Sequence, residues 1–223
     1  LLLVACALLA LPGSAMASDE AEKPASLRVL TYNVWGVPGV SDHRAARIAR
    51  IGQAVAGLAP DVVLLQEAWT TEDASTLREA LRAAGLVHQE GRATDGPIAY
   101  KSTGLLVASR LPLENVKWVD YSGGRLPHTP YHVDWMAQKS ALIFTVKAAP
   151  GPITIATTHM QASYATGRYE PVRLAQTLQL IDGLVAAGEL GAPLLVAGDL
   201  NYEAGELGER VLREGLGLRT IFS

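Results

Sequence analysis

The chain has 223 residues, 49% of them hydrophobic and 18% charged, which is enough for one α/β domain with a sizeable core and too apolar for a disordered chain. Its 22 acidic residues against 19 basic ones leave a formal net charge of −3, excluding a general electrostatic pull toward nucleic acid. The single cysteine, Cys6, excludes an intramolecular disulfide, so stability has to come from the core.

Leu1 through Leu11 form an unbroken apolar run, followed by Pro12-Gly13-Ser14 and Ala15-Met16-Ala17. This has the pattern of a secretory signal peptide, too short for a transmembrane helix. We expect cleavage after Ala17 and a secreted or periplasmic chain starting at Ser18. Leu3-Val4-Ala5-Cys6 resembles a lipoprotein cleavage box, but the residues after Cys6 stay apolar where a mature lipoprotein turns polar. Residues 18–26 read as a flexible leader and 27–223 as one domain.

Leu27 to Trp35 predicts a strand running into a loop at Gly36 and Pro38. Beyond a cap at Ser41 or Asp42, the helical spacing of Ile48, Ile51, Val55 and Leu58 predicts a helix ended by Gly57 and Pro60. Val62 to Leu65 reads as a buried strand, and Thr71 or Asp73 caps a second helix through Leu77, Leu81 and Ala84. Thr103 to Ser109, Ala141 to Val146 and Ile153 to Thr158 predict strands. Between Trp118 and Trp135 a Gly/Pro-rich stretch with Tyr121, Tyr131 and His132 predicts loops or a hairpin. Pro171 opens a helix carrying Leu174, Leu178, Ile181 and Leu184; Leu194 to Ala197 is a short buried strand, and Glu206 to Leu212 a last helix.

Four predicted strands end alike, in Thr31-Tyr32-Asn33, Gln66-Glu67, Thr158-His159-Met160-Gln161 and Gly198-Asp199-Leu200-Asn201. Ligand sites gather at strand ends, where loops are free to vary. Glu67, with amide oxygens beside it, suits a hard cation such as Mg²⁺. His159 is placed to protonate a leaving group or to bind a phosphoryl oxygen, and Asp199 to orient water. The resulting chemistry is metal-assisted phosphoester hydrolysis. Taken singly, Asn33 is a turn former, Glu67 a solvated carboxylate and His159 a satisfied imidazole. The ordered set carries the functional reading.

The segments LTYNVWG, PDVVLLQEAW, TGLLVASRLPL, TTHMQA and VAGDLN resemble, in order, the motifs of the endonuclease/exonuclease/phosphatase superfamily. The resemblance implies a four-layer α/β sandwich, with two packed, mainly antiparallel sheets flanked by helices. It implies that Asn33 supports the metal and phosphate network, that Glu67 is the main metal carboxylate, and that His159 contacts the scissile phosphate. Asp199 and Asn201 are then the pair that positions water and stabilises phosphoryl oxygens.

Asp134-Trp135-Met136-Ala137-Gln138-Lys139-Ser140, His159-Met160-Gln161-Ala162-Ser163-Tyr164 and Arg173-Leu174-Ala175-Gln176 are similar to sphingomyelinase segments. This implies a phospholipid substrate at a membrane surface, with Lys139, Asn201 and Tyr164 as substrate contacts. A solvated strand-edge lysine is an equal reading of Lys139. Trp118, Tyr121, Tyr131 and Trp135 suit interfacial anchoring or core packing alike. A secreted nuclease or phosphatase on the same scaffold and a non-catalytic membrane-binding module are the alternatives; no protein partner and a monomer are expected. The Asp-His motif that ends the superfamily pattern does not follow Asn201, and we expect a chain truncated at its C-terminus and inactive as it stands.

Overall fold

In this computed structural model, the structure describes residues 5–10, 26–94, 102–122, 132–149, 151–164, 169–188 and 193–221. The expected cleavage site at Ala17, the leader up to residue 25 and the anchor Tyr131 lie outside them. The described elements are β1 (Ala5–Ala10), β2 (Ser26–Asn33), α1 (Arg44–Leu58), β3 (Val62–Gln66), α2 (Thr71–Ala83), β4 (His88–Gly91), β5 (Leu106–Ser109), β6 (Glu114–Asp120), β7 (Ser140–Ala148), β8 (Gly151–His159), α3 (Glu170–Ala187), β9 (Leu194–Asp199) and α4 (Leu207–Gly215), with a 3-10 turn at Val133–Met136.

The strands form two sheets, ordered β1-β2-β3-β5-β4 and β6-β7-β8-β9. Alternation along each strand sends side chains to opposite faces. Val29, Val62, Leu64 and Val107 of the first sheet meet Leu142, Phe144 and Ile155 of the second in a central core. Leu30, Val63 and Leu65 point the other way, onto Ile48 and Val55 of α1 and Leu77 and Leu81 of α2. Ile143 and Ala156 likewise turn outward onto Leu180 and Leu184 of α3 and Leu212 of α4. The product is the four-layer sandwich, helices outside and sheets inside. Strands covered on both faces read as unbroken apolar runs, which is why VVLL was legible as a strand.

Both sheets are mixed. Most neighbours run antiparallel, but β2 pairs with β3 and β8 with β9 in parallel. Within the segment expected to be cleaved, β1 pairs antiparallel with β2.

Several local expectations change. The N-cap of α1 is His43, in the left-handed region and without a side-chain cap, rather than Ser41 or Asp42. For α2 the cap is Thr70, whose hydroxyl accepts the Asp73 N–H at 3.1 Å. Strand β5 starts at Leu106, not Thr103. Neither β4 (HQEG) nor β6 (ENVKWVD) was predicted, since strands at the rim of a sheet mix polar with apolar residues and lose the alternation signal. Trp118 belongs to β6 rather than to a loop; its indole lies beneath Arg92 and donates to Glu90. Tyr121 is 2% exposed and shares a hydrogen bond with Thr158, so core packing is its role. Among the described residues no helix is long and apolar enough to cross a membrane.

Candidate metal centre

The two parallel strand pairs end at the same place, because β9 lies against β2 and β3. In the first pair Asn33 sits opposite Gln66, so Glu67 is the next residue past β3. In the second, His159 sits opposite Asp199. The backbones approach closely just before that pair: a Cβ on Gly198, whose φ is +137°, would lie 2.1 Å from the Thr158 carbonyl oxygen. Only glycine tolerates both the conformation and the contact. The turns leaving β2, β3 and β9 hold Trp35, Glu67 and Asn201 at φ of 49°, 64° and 52°. A left-handed non-glycine costs about 1–2 kcal/mol and is found where the surroundings enforce it.

Asn33 joins the sheets. Its Oδ1 accepts the Trp35 N–H at 2.8 Å, while Nδ2 donates to Glu67 Oε1 at 2.7 Å and to Asp199 Oδ2 at 2.9 Å. The opposite amide orientation would set an oxygen against both carboxylates, so the network fixes this one. Asn33 was expected to share the metal; here its oxygen faces the backbone and its nitrogen holds the two carboxylates together.

His159 completes the cluster. It is 3% exposed, with Nε2 4.0 Å from Glu67 Oε1 and 3.8 Å from Asp199 Oδ2. One ligand atom from each of Glu67, His159 and Asp199 lies within 4.8 Å of the others. Glu67 Oε2 and His159 Nδ1 are buried without a hydrogen-bond partner among the described residues. Two carboxylates sharing one amide donor, with a third oxygen unsatisfied, is a donor set that suits a hard cation. Burial first, and Lys139 second, hold the His159 pKa below its usual value against the opposing pull of Asp199, Asp134 and Glu67. The imidazole is therefore neutral at pH 7, suited to ligation or to donating one hydrogen bond.

Lys139 is not a solvated edge residue. It is 3% exposed, with Nζ 3.2 Å from Asp134 Oδ1 and donating to the Met160 carbonyl at 3.2 Å. Burial alone would raise the Asp134 pKa, but Lys139, His159 and the Ala162 N–H together outweigh it and the carboxyl stays below its usual range. Asp134 Oδ2 also accepts the Ala162 N–H at 2.7 Å and Gln161 Nε2 at 3.1 Å, clamping the turn after His159. Asn201 secures the same turn, donating to the Met160 carbonyl at 3.0 Å while its N–H reaches Asp199 Oδ1 at 3.2 Å. Tyr164 is half-buried and stacks on His132 with centroids 4.3 Å apart. Burial, with Asp134 next, pushes its hydroxyl pKa up, so it is a neutral donor.

Several supports carried no role in the sequence reading. Arg173, fully buried, pairs with Glu206 and donates to the Gln161 carbonyl at 3.0 Å. Gln176 accepts the Gln161 N–H at 2.9 Å. An arginine on an otherwise apolar helix stripe was the available signal for the first. Trp69, 5% exposed, sets its ring 5.9 Å from that of His159. Nothing local distinguishes that tryptophan from a core residue.

The family model described as the Endonuclease/Exonuclease/phosphatase family matches residues 30–219. Among curated relatives, the chain is 29% identical over 198 residues to sphingomyelin phosphodiesterase 2 of Rattus norvegicus, covering 88% of this chain and 46% of that protein. It thus spans about half the length of the curated relatives it matches. Among solved structures, sphingomyelinase C from Streptomyces griseocarneus is similar at a TM-score of 0.64 and 25% identity, covering 86% of this chain and 70% of that one. A beta toxin mutant from Staphylococcus aureus, crystallised with bound magnesium ions, has a TM-score of 0.68 at 16% identity, covering 87% and 71%, and shares the fold.

Proposed function

The chain belongs to the endonuclease/exonuclease/phosphatase family, and we propose that it is a divalent-cation-dependent phosphodiesterase hydrolysing sphingomyelin or a related phospholipid head group. The observation that carries this is the convergence of Glu67, His159 and Asp199 around Asn33, at the ends of the two parallel strand pairs. The similarity to sphingomyelin phosphodiesterase 2 and to sphingomyelinase C supports the substrate class.

Glu67 would hold the cation, with Asp199 and His159 as its nearest companions; Mg²⁺ is the ion we propose. Bound there, a hard cation neutralises charge on the phosphoryl oxygens. The chain's own groups do the positioning. Asn33 keeps the two carboxylates in register. Asp199 accepts a hydrogen bond from the attacking water and aims its lone pair at phosphorus. The neutral imidazole of His159 donates one hydrogen bond to a phosphoryl oxygen. Asn201 holds the Asp199 turn and Lys139 braces the turn after His159 through Asp134 and the Met160 carbonyl, while Tyr164 would contact the substrate. The new bond joins water oxygen to phosphorus, the bond from phosphorus to the lipid alcohol breaks, and the water proton ends on the departing alcohol. The phosphorylated head group is released.

The reading extends to export. The apolar run and Ala15-Met16-Ala17 support a signal peptide cleaved after Ala17, and the chain would act as a monomer.

Hydrolysis of sphingomyelin vesicles, single-stranded DNA and duplex DNA by the complete, signal-free protein, each with Mg²⁺ and with chelator, tests the proposal. Metal-dependent release of phosphocholine without DNA cleavage is expected. DNA cleavage alone would overturn the substrate, and no metal-dependent activity on any of the three would overturn the enzyme reading.

A further inference from the structure

Among the described residues, the aromatic side chain displayed beside the centre is one that the sequence did not suggest as a membrane anchor. Trp35, two residues past Asn33, is 46% exposed, and Val40, at the far end of the same loop, is 60% exposed. Between them Val37 and Pro38 are half-buried and Gly39 is exposed. From Val34 through Ser41 no residue carries a charge.

This loop is built rather than slack. Arg47 donates to the Val34 carbonyl and to the Trp35 carbonyl, each at 2.8 Å, and its guanidinium lies 5.0 Å from the centroid of the Trp35 ring. The Trp35 N–H is taken by Asn33. At the other end the Val37 carbonyl accepts the Ser41 N–H at 3.0 Å and the Ser41 hydroxyl at 2.8 Å, closing a turn with Gly39 at φ +74° and Val40 at its tip. Trp35 itself is held in the left-handed region, uncommon for a bulky aromatic. Several interactions thus maintain an unfavourable backbone that leaves an indole half in solvent. Strain of that kind persists when it has a use.

We propose that residues 35–40 form a membrane-docking loop that inserts Trp35 and Val40 into the interface of a zwitterionic phospholipid bilayer, bringing Asn33 and Glu67 to the head groups. The inference rests on the phospholipid reading above. A lipid surface is the occupant that fits, because tryptophan favours the head-group level and an apolar tip partitions beneath it. With no charge in the loop and a net charge of −3 overall, attachment runs through apolar insertion and not through attraction to anionic lipid. The backbone of Gly36, inside this loop, lies against the Glu67 carbonyl, so the docking element and the metal carboxylate are mechanically one piece.

The test is co-sedimentation of the complete, signal-free protein with vesicles of sphingomyelin and phosphatidylcholine in chelator, so that binding is read without chemistry, at low and high salt. Wild type should sediment, with little change on adding salt. Val40→Glu and Trp35→Ser should each lower the partition coefficient at least about tenfold while keeping the wild-type melting temperature. Val40→Glu should also keep wild-type turnover on a short-chain, water-soluble sphingomyelin with Mg²⁺. Wild type that stays in the supernatant, variants that sediment like wild type, or binding abolished by salt would overturn the docking loop. Loss of hydrolysis of the soluble substrate by wild type would instead overturn the enzyme reading, leaving the sedimentation result to stand on its own.

Discussion

A Cβ on Gly36 would lie 2.3 Å from the carbonyl oxygen of Glu67 and 3.4 Å from the Asp73 carboxylate. The loop after β2 therefore supports the turn after β3 by direct backbone contact, with no room for a side chain, and Glu67 keeps its left-handed φ of 64°.

Gly36→Ala should force that turn to move, because the obstructing atom is backbone. Overpacking of this kind costs about 1–3 kcal/mol. The informative result is a weaker metal affinity beyond the fall in melting temperature, measured by calorimetric titration of Mg²⁺. Unchanged affinity would show that the Glu67 side chain is placed independently of Gly36.

Glu67→Gln separates metal binding from folding. For wild type, Mg²⁺ at about a hundred times its Kd should add about 2.7 kcal/mol of stability. In the variant that increment should vanish, along with metal-dependent turnover, while the metal-free protein stays as stable as wild type or gains, since one of two converging carboxylates is gone. Asn33→Ala, which removes the donor holding both carboxylates, should weaken metal affinity about 10–100-fold. A full metal-induced shift of melting temperature in Glu67→Gln would remove Glu67 from the centre.

Lys139→Met leaves Asp134 as an uncompensated buried charge, costing about 3–5 kcal/mol. Lys139→Met with Asp134→Asn, which removes the charge and keeps an oxygen for the Ala162 N–H, should recover much of that loss. Because Lys139 lowers the His159 pKa, the single variant should raise it, followed as the His159 C2–H resonance across a pH titration. An unmoved His159 titration would show that Lys139 does not contribute to it.

Stability should also depend on acid in a defined window. His159 has a folded pKa lowered by burial and by Lys139, so the unfolded chain takes up its proton first, starting near pH 6.5, the usual histidine value. The neutral side chain's advantage is complete above that pH, and stability falls by up to about 1.4 kcal/mol per pH unit below it, until the folded group also protonates. Asp134 acts later. Held below its usual value by Lys139, His159 and the Ala162 N–H together against its own burial, it stabilises the fold above about pH 3.9 and loses that contribution as pH falls through the lowered value. Urea unfolding midpoints between pH 7.5 and 5 should therefore decline in wild type and flatten in His159→Gln. Equal slopes in the two proteins would assign the decline to other groups.

Much of the architecture could be read from residue order alone. A run such as Val62–Leu65, buried on both faces, has no polar position to disguise it. Pro171 and the apolar spacing behind it marked α3. The rim strands β4 and β6 were invisible because their half-covered faces admit His88, Glu90, Glu114 and Lys117. Asn33, Glu67, His159 and Asp199 were legible as candidates because each follows an apolar strand. What each does was not, since Asn33 turned out to grip two carboxylates and Lys139 to be buried against Asp134.

The order of strand-terminal polar residues is a property of the sequence, and it named the family and the atoms available for chemistry. The 4.8 Å cluster of Glu67, His159 and Asp199 came only with the packing of β9 against β2 and β3. Likewise, composition marks every tryptophan as apolar, but only the folded chain separates Trp35, held outward by Arg47, from Trp69, enclosed at 5% exposure. Local sequence sets which face of a strand or turn a side chain leaves from; the distances across two sheets follow from long-range packing that no short segment encodes.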